Sequence, residues 1–327
     1  MSYNGAPVVE PLLTNHIISY PVQGAIADIV SPRVDSDERG RYETYDKSAF
    51  KVPDIKPRRG MTPAGSFTLS SSDEQYETLN YPLKMELDEK FIREQQKLNR
   101  NPRITRSEQI KAAMTRAREM RVATLFSSSA ASSIILAAYN SVSNPTKVFF
   151  DDTTNSHPFS LMEACVARFV LQCGVYPSHV VLNPFIEYAL ANHPDRDTKS
   201  NQSQDRVRDG RLGDLLLNMQ IVRAFMPYDS AGPGRTASDA FIWGNNVYLI
   251  YRPDDVSQES PTASKTFDAG RQVRGAQGIA ISEYPGNAGE PGVYIEGNED
   301  VDEQVTCANA IFVIKDVLLN ATGPSLD

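Results

Sequence analysis

The chain has 327 residues, 40% hydrophobic and 23% charged, with a formal net charge of −8. This is a globular composition, enough for one large domain or two ordinary ones, and it excludes a disordered chain. The acidic balance also argues against a protein that grips nucleic acid through its phosphates, which needs a basic surface.

Residues 1–33 contain Pro7, Pro11, Pro21 and Pro32 and little apolar surface. They are expected to extend as an arm lying on a neighbouring molecule, with one short helix within Val22–Val30. No basic segment followed by an apolar core opens the chain, so no signal peptide is expected. Tyr42, Thr44 and Phe50 favour a strand, and Ser66–Leu87 returns with partly alternating apolar residues. Between them, Lys51–Gly65 is polar, basic and proline-rich. Together these predict a long hairpin over 41–84 with an irregular tip. A lone two-stranded ribbon is marginal in water, so a neighbour is expected to cover Tyr42, Tyr45, Phe50, Phe67 and Tyr76.

A short amphipathic helix is predicted over 86–99, broken by Asn101-Pro102. Thr105 and Glu108 have the spacing of a capping box. From there Ile110, Met114, Ala117 and Leu125 recur at helical spacing to about Phe126. A helix over 105–126 is about 33 Å long at 1.5 Å per residue. Its arginines, Arg106, Arg116, Arg118 and Arg121 among them, are expected on a solvated face, some of them meeting an adjacent subunit. A second capping box, Ser160 to Glu163, predicts a helix over 161–173 that is apolar nearly all round and stops at Gly174.

Next come a buried strand at His179–Leu182, a helix from Asn183-Pro184 to about His193, and a solvated loop over 194–211. A helix at 212–219 and a strand at 220–226 follow. Phe241–Trp243 and Val247–Tyr251, around Gly244-Asn245-Asn246, predict a tight hairpin. Strands are expected at 277–284, 292–296 and 304–318, the last being long. The longest apolar run, around Ile134–Tyr139, is too short to span a membrane.

Chemistry is hard to find. Gly232-Pro233-Gly234-Arg235-Thr236-Ala237 matches G-x-G-x-x-A, but a strand rather than a helix follows, so a loop is the better reading. There is no phosphate-binding loop with lysine and no G-x-S-x-G. His16, His157, His179 and His193 lack metal-ligand spacing. Cys165, Cys173 and Cys307 are too few for a disulfide framework and read as buried thiols. Asp35, Asp37 and Glu38, before Arg39 and Arg41, read as a charge run or an intersubunit pairing rather than a cation site. Arg58-Arg59 are expected to meet an acidic segment of a neighbour. No catalytic, cofactor or metal site is expected. A hydrolase or nucleotide-binding enzyme with a hairpin insertion is the weakest reading.

The order of arm, hairpin, long helix and mixed body resembles the major capsid proteins of tailed bacteriophages, the Hong Kong 97-type fold. Gly40-Arg41-Tyr42-Glu43-Thr44-Tyr45-Asp46-Lys47, Arg58-Arg59-Gly60 and Val180-Val181-Leu182-Asn183 carry the likeness. So do Leu190-Ala191-Asn192-His193-Pro194-Asp195 and Ile242-Trp243-Gly244-Asn245. The resemblance implies an α+β fold with an N-arm at 1–40 and an extended E-loop at 41–84. A peripheral domain would span 85–159, with spine helix 105–126. An axial domain would span 160–265, with peripheral return strands at 266–327.

By that resemblance the chain assembles itself into pentamers and hexamers of a virion enclosing double-stranded DNA. A separate scaffolding protein, a portal and a decoration protein are the expected partners, with assembly in the host cytoplasm. An encapsulin-like compartment shell is the alternative. The residues expected at contacts between subunits are Asp35, Asp37, Glu38, Arg41, Tyr45, Lys51, Arg58, Arg59, Arg116 and Arg118. Some relatives crosslink a hairpin lysine to an asparagine. Lys47, Lys51 and Lys56 lie in the right region, but no asparagine or assisting acid matches.

Overall fold

A computed structural model describes residues 24–44, 72–97, 101–130, 132–135, 149–196, 216–217, 219–229, 239–285 and 292–319. The first elements are α1 (Ala27–Val30), β1 (Arg33–Asp35), β2 (Arg39–Thr44), β3 (Ser72–Glu77), β4 (Leu79–Asp88), α2 (Glu89–Lys97) and α3 (Pro102–Ser129). Next come β5 (Ser132–Ile135), α4 (Pro158–Cys173), β6 (His179–Leu182), α5 (Pro184–Ala191), β7 (Gln220–Arg223), β8 (Pro227–Asp229), β9 (Asp239–Phe241) and β10 (Val247–Ile250). The last are β11 (Lys265–Asp268), α6 (Gly270–Arg274), β12 (Ala280–Pro285), β13 (Gly292–Gln304), a 3-10 turn at Ala308–Ala310 and β14 (Ile311–Lys315).

Two five-stranded sheets organise these elements. In the first, the 13-residue strand β13 is the axis. One edge of β13 pairs with β4 from Gly292↔Asp88 to Val301↔Leu79; the other takes β12 and then β11, with β1 outside β11. The second sheet runs β5-β14-β10-β6-β7. Its central strands are buried throughout, and their residues divide between two cores. Val180, Leu182, Val247, Leu249, Phe312 and Ile314 face α4 and α5. Val181, Tyr248, Ile250, Ile311 and Val313 face α1 and the end of α3. A side-chain period of two puts successive residues on opposite faces, so a strand covered on both sides reads as unbroken apolar sequence.

α3 ties the sheets together. At 28 residues it is about 42 Å long at 1.5 Å per residue. Ile110 and Met114, in its first half, pack on Leu87, Ile281 and Ile295 of the first sheet. Val122, Ala123 and Phe126 pack on the second. Phe126 is fully buried and meets Trp243 edge-on at 5.9 Å. Burying one such ring contributes about 2–3 kcal/mol.

Several expectations change. Neither expected capping box opens its helix. Asn101 caps α3, its side chain accepting from Arg103 N at 3.1 Å, and Pro102 is the first helical residue. Pro158 likewise opens α4. Proline suits this position because its φ is preset and its missing N–H would be unpaired there anyway. Gly174 ends α4 with φ 75°, as expected. However, α4 is not buried all round: Leu171 is 85% exposed.

The predicted hairpin at 241–251 does not exist, because β9 pairs with β8 while β10 pairs with β14 and β6. The long strand is 292–304, not 304–318. The second strand of the predicted 41–84 hairpin divides at Thr78: β3 pairs with β2, and β4 joins β13. Residues 24–35 dock on the chain's own body, with Ile26, Ala27, Val30 and Val34 buried. The hairpin tip, Gly232–Ala237 and most of 194–219 lie outside the described residues.

Lys265 in β11 is buried, and its Nζ donates to the Gln258 carbonyl at 2.5 Å. Burial pushes its ammonium down from 10.5 to about 8. Between these values the unfolded chain binds the proton that the folded chain has released. Stability from this group therefore rises with pH across that window. Below pH 8 both states are protonated and the full cost of the buried charge is felt. Lys265→Met is expected to raise the melting temperature at pH 7. The gain is expected to shrink as pH approaches 10. A gain equal at both pH values refutes this account.

Candidate assembly surface

The base of the predicted hairpin is a short antiparallel ribbon, in register from Arg39↔Glu77 to Thr44↔Ser72. Tyr76 stacks on Phe267 of β11 at 4.0 Å between centroids, and Tyr42 packs on the same ring at 5.3 Å. Gly40 lies opposite Tyr76, and a Cβ there would overlap the ring. Tyr42 and Tyr76 are 6% and 7% exposed, so the chain buries them itself and no neighbour is needed for either. The Tyr42 hydroxyl donates to Glu74 Oε2 at 2.8 Å. Burial, then that carboxylate, raises the pKa of this phenol. The ribbon therefore leaves the body from an anchored base.

Of the expected contact residues, Glu38, Arg41 and Arg116 are exposed. Asp35 and Asp37 are also exposed, and both have partners on α6. Arg271 Nη1 lies 2.5 Å from Asp35 Oδ2, and Gln272 Nε2 donates to Asp37 Oδ1 at 2.6 Å. Exposed pairs of this kind contribute about 0–1 kcal/mol, so a neighbour could exchange them at small cost. Tyr45, Lys51, Arg58 and Arg59 lie outside the described residues, as do Lys47 and Lys56.

Arg118 is a correction: it is 4% exposed and turned inward. It bonds Asp28, the Ser31 carbonyl and Thr266 Oγ1, the last two at 3.3 and 3.2 Å. Arg121 is also held inside the chain, by Glu303 at 2.7 Å and Glu299 at 3.4 Å. Arg33 completes the network, reaching Asp28, Asp268 and Glu299 at 3.0, 2.9 and 2.5 Å. One residue on from Arg118, Glu119 is 1% exposed. One of its oxygens accepts from Ile26 N and Ala27 N, both at 2.6 Å, and the other accepts from Trp243 Nε1 at 2.8 Å. Burial raises this carboxyl above the usual range, while the three donors pull it back.

This cluster, which locks residues 24–35 onto α3, was not legible in the sequence. Glu119 and its partners are separated by 92 to 124 positions. The one available signal was a lone acid within an arginine-rich helix.

The Ser156–His193 pair is structural. The Asp195 amide donates to His193 Nδ1 at 3.1 Å, so the ring carries its proton on Nε2 and presents it to Ser156 Oγ at 2.8 Å. A general base needs the opposite tautomer. Among the described residues no group of three possible ligands could hold a metal ion. A cleft of about 470 Å³ between α2 and α3 is lined by Phe91, Gln95, Thr105 and Arg106, which hold no acid–base pair. No helix among the described residues is long and apolar enough to cross a membrane.

No protein-family model matches the chain, and no curated protein does. Solved structures do. A phage-related protein from Bordetella bronchiseptica RB50 superposes with a TM-score of 0.67 over 97% of this chain and 100% of that one, at 19% identity. The capsid protein of cyanophage P-SCSP1u gives 0.55 over 96% and 92%, at 12% identity. The chain has the Hong Kong 97-type capsid fold. A putative capsid protein of an Escherichia coli CFT073 prophage matches this fold over 95% of this chain and 99% of its own, with a TM-score of 0.54 and 8% identity. The long helix expected over 105–126 is α3, which starts three residues earlier and ends three later.

Proposed function

We propose that this chain is the major capsid protein of a tailed bacteriophage, a structural subunit without catalytic activity. It assembles as pentamers and hexamers of an icosahedral head enclosing double-stranded DNA. The observation that carries the reading is the capsid fold along nearly the whole chain. The acidic balance suits a wall that contains DNA without gripping it. Residues 1–40 act as the arm and 41–84 as the E-loop, while 160–265 form the axial domain. Glu38, Arg41 and Arg116, with Tyr45, Lys51, Arg58 and Arg59, form contacts between subunits. Asp35 and Asp37 can exchange their α6 partners for a neighbour's. Assembly takes place in the host cytoplasm with a separate scaffolding protein and a portal, and a decoration protein joins the finished virion.

Electron microscopy and light scattering of the purified full-length chain test this directly. Closed shells are expected. A stable monomer at high concentration under every assembly condition overturns the reading. Shells from the native source that hold a protein cargo instead of DNA would replace it with a compartment shell. Deleting residues 51–65 is expected to leave a folded body, judged by an unchanged melting temperature, and to prevent closed shells. Normal particles from the deletion would show that the tip makes no necessary contact.

A further inference from the structure

We propose that Cys173 and Cys307 form a reversible disulfide that staples the end of α4 to the 3-10 turn before β14. Neither the pair nor its test depends on the shell reading.

The sequence reads all three cysteines as buried thiols, and the fold separates them. Cys165, in the middle of α4, is 1% exposed and belongs to the core with Met162, Val166 and Phe169. Cys173 and Cys307 are only half-buried, each at the margin of a core. Cys173 is the last residue of α4, and Cys307 immediately precedes the turn at Ala308–Ala310.

These two sites meet although more than a hundred positions separate them in the sequence. α4 packs on the 3-10 turn. Residues flanking the two thiols are bonded to each other: Gln172 Nε2 donates to the Asn309 carbonyl at 3.2 Å. The negative charge of a Cys307 thiolate also opposes ionisation of Cys173, an effect that needs the two sulfurs to be near each other. A disulfide requires this kind of approach between the two backbones.

The two thiols differ in chemistry. Cys173 Sγ donates to the Val175 carbonyl at 3.3 Å, which holds it as the neutral thiol. At Cys307 the amides of Asn309 and Ala310 favour the thiolate. Burial pushes both thiols up, so exchange is slow at neutral pH and quickens as pH rises.

The oxidant class is a small-molecule disulfide, such as oxidised glutathione. The Cys307 thiolate attacks one sulfur of it, forming a mixed disulfide and expelling one glutathione thiolate. The Cys173 thiolate then attacks the Cys307 sulfur and expels the second. Two cysteine thiols are oxidised, one glutathione disulfide is reduced, and the two thiol protons pass to the two glutathiones. In a reducing cytoplasm the pair stays open, and in an oxidising medium it closes. The bond ties off the chain from α5 to β13, and cross-linking so long a loop restricts the unfolded chain strongly.

The test takes the full-length protein, reduced and then incubated with oxidised glutathione at pH 8.5. Remaining thiols are alkylated after denaturation, and the products are read by intact mass and peptide mapping. One alkylated site, Cys165, and a peptide linking Cys173 to Cys307 within one chain are expected. Closure is expected to quicken about tenfold per pH unit between pH 7 and 8. The oxidised protein is expected to melt about 3–6 °C above the reduced one. Cys173→Ser is expected to stop at the mixed disulfide, with one glutathione retained on Cys307. Three alkylated cysteines, glutathione retained on both Cys173 and Cys307, a link through Cys165, or a link only between chains would each overturn the staple. The wild-type comparison needs no variant, so a misfolded Cys173→Ser leaves the test intact.

Discussion

Replacing Glu119 by alanine is expected to lower the stability of the unassembled chain by about 3 kcal/mol, at about 1–3 kcal/mol for each buried donor left without a partner. Three donors lose theirs: Ile26 N, Ala27 N and Trp243 Nε1. Relief of the desolvated carboxylate offsets part of that loss, which is why the figure lies at the low end of the sum of about 3–9 kcal/mol for three donors. Glu119→Gln keeps one carbonyl acceptor, so either the indole or the start of α1 stays paired but not both. Its loss is expected to be intermediate. At about 2–4 °C per kcal/mol, the alanine variant should melt about 6–12 °C lower. Proteolysis should also open residues 24–35 first, because they are what Glu119 holds. An alanine variant that melts within a degree of wild type would show that water replaces the carboxylate freely.

Arg33→Met is the second large effect, about 3–5 kcal/mol, the usual result of removing one member of a buried ion pair. Asp268 and Glu299 have side chains 0% and 1% exposed, and Arg33 bridges them. Each keeps some support: Asp268 accepts from Gly270 N and Gly278 N at 2.8 and 3.0 Å, and Glu299 keeps Arg121 at 3.4 Å. Adding Glu299→Leu to Arg33→Met removes the charge left behind and is expected to recover part of the loss. Denaturant unfolding of the two single variants and the double variant completes the cycle. Losses that simply add would refute a direct coupling.

Both predictions concern residues whose importance was hidden locally. Arg118 belongs to a row of arginines that periodicity places on a solvated face. The actual face is decided by Asp28, Ser31 and Thr266, which come from far along the chain. The reading that Tyr42 and Tyr76 await a neighbour failed for the same reason, since their partner, Phe267, lies 225 residues after the first and 191 after the second. The helix starts, by contrast, were legible and misread. Asn101-Pro102, His157-Pro158 and Asn183-Pro184 all open helices, and only the last was taken that way.

Local sequence was enough for whatever depends on backbone preference and burial pattern. It determined the existence of α3, the left-handed stop at Gly174, the buried strand at 179–182, and an extended segment at 247–250, though not that segment's burial or partners. It also placed the elements in an order that resembles a capsid subunit. Strand pairing was decided only by the tertiary structure. β4 and β13 each read as strands, but Leu79 meets Val301 across more than two hundred residues. Local propensity says that a segment is extended, not which edge it will share. The same holds for charge. A carboxylate such as Glu119 becomes a lock only when the folded chain brings two amides and an indole to it and excludes water around them.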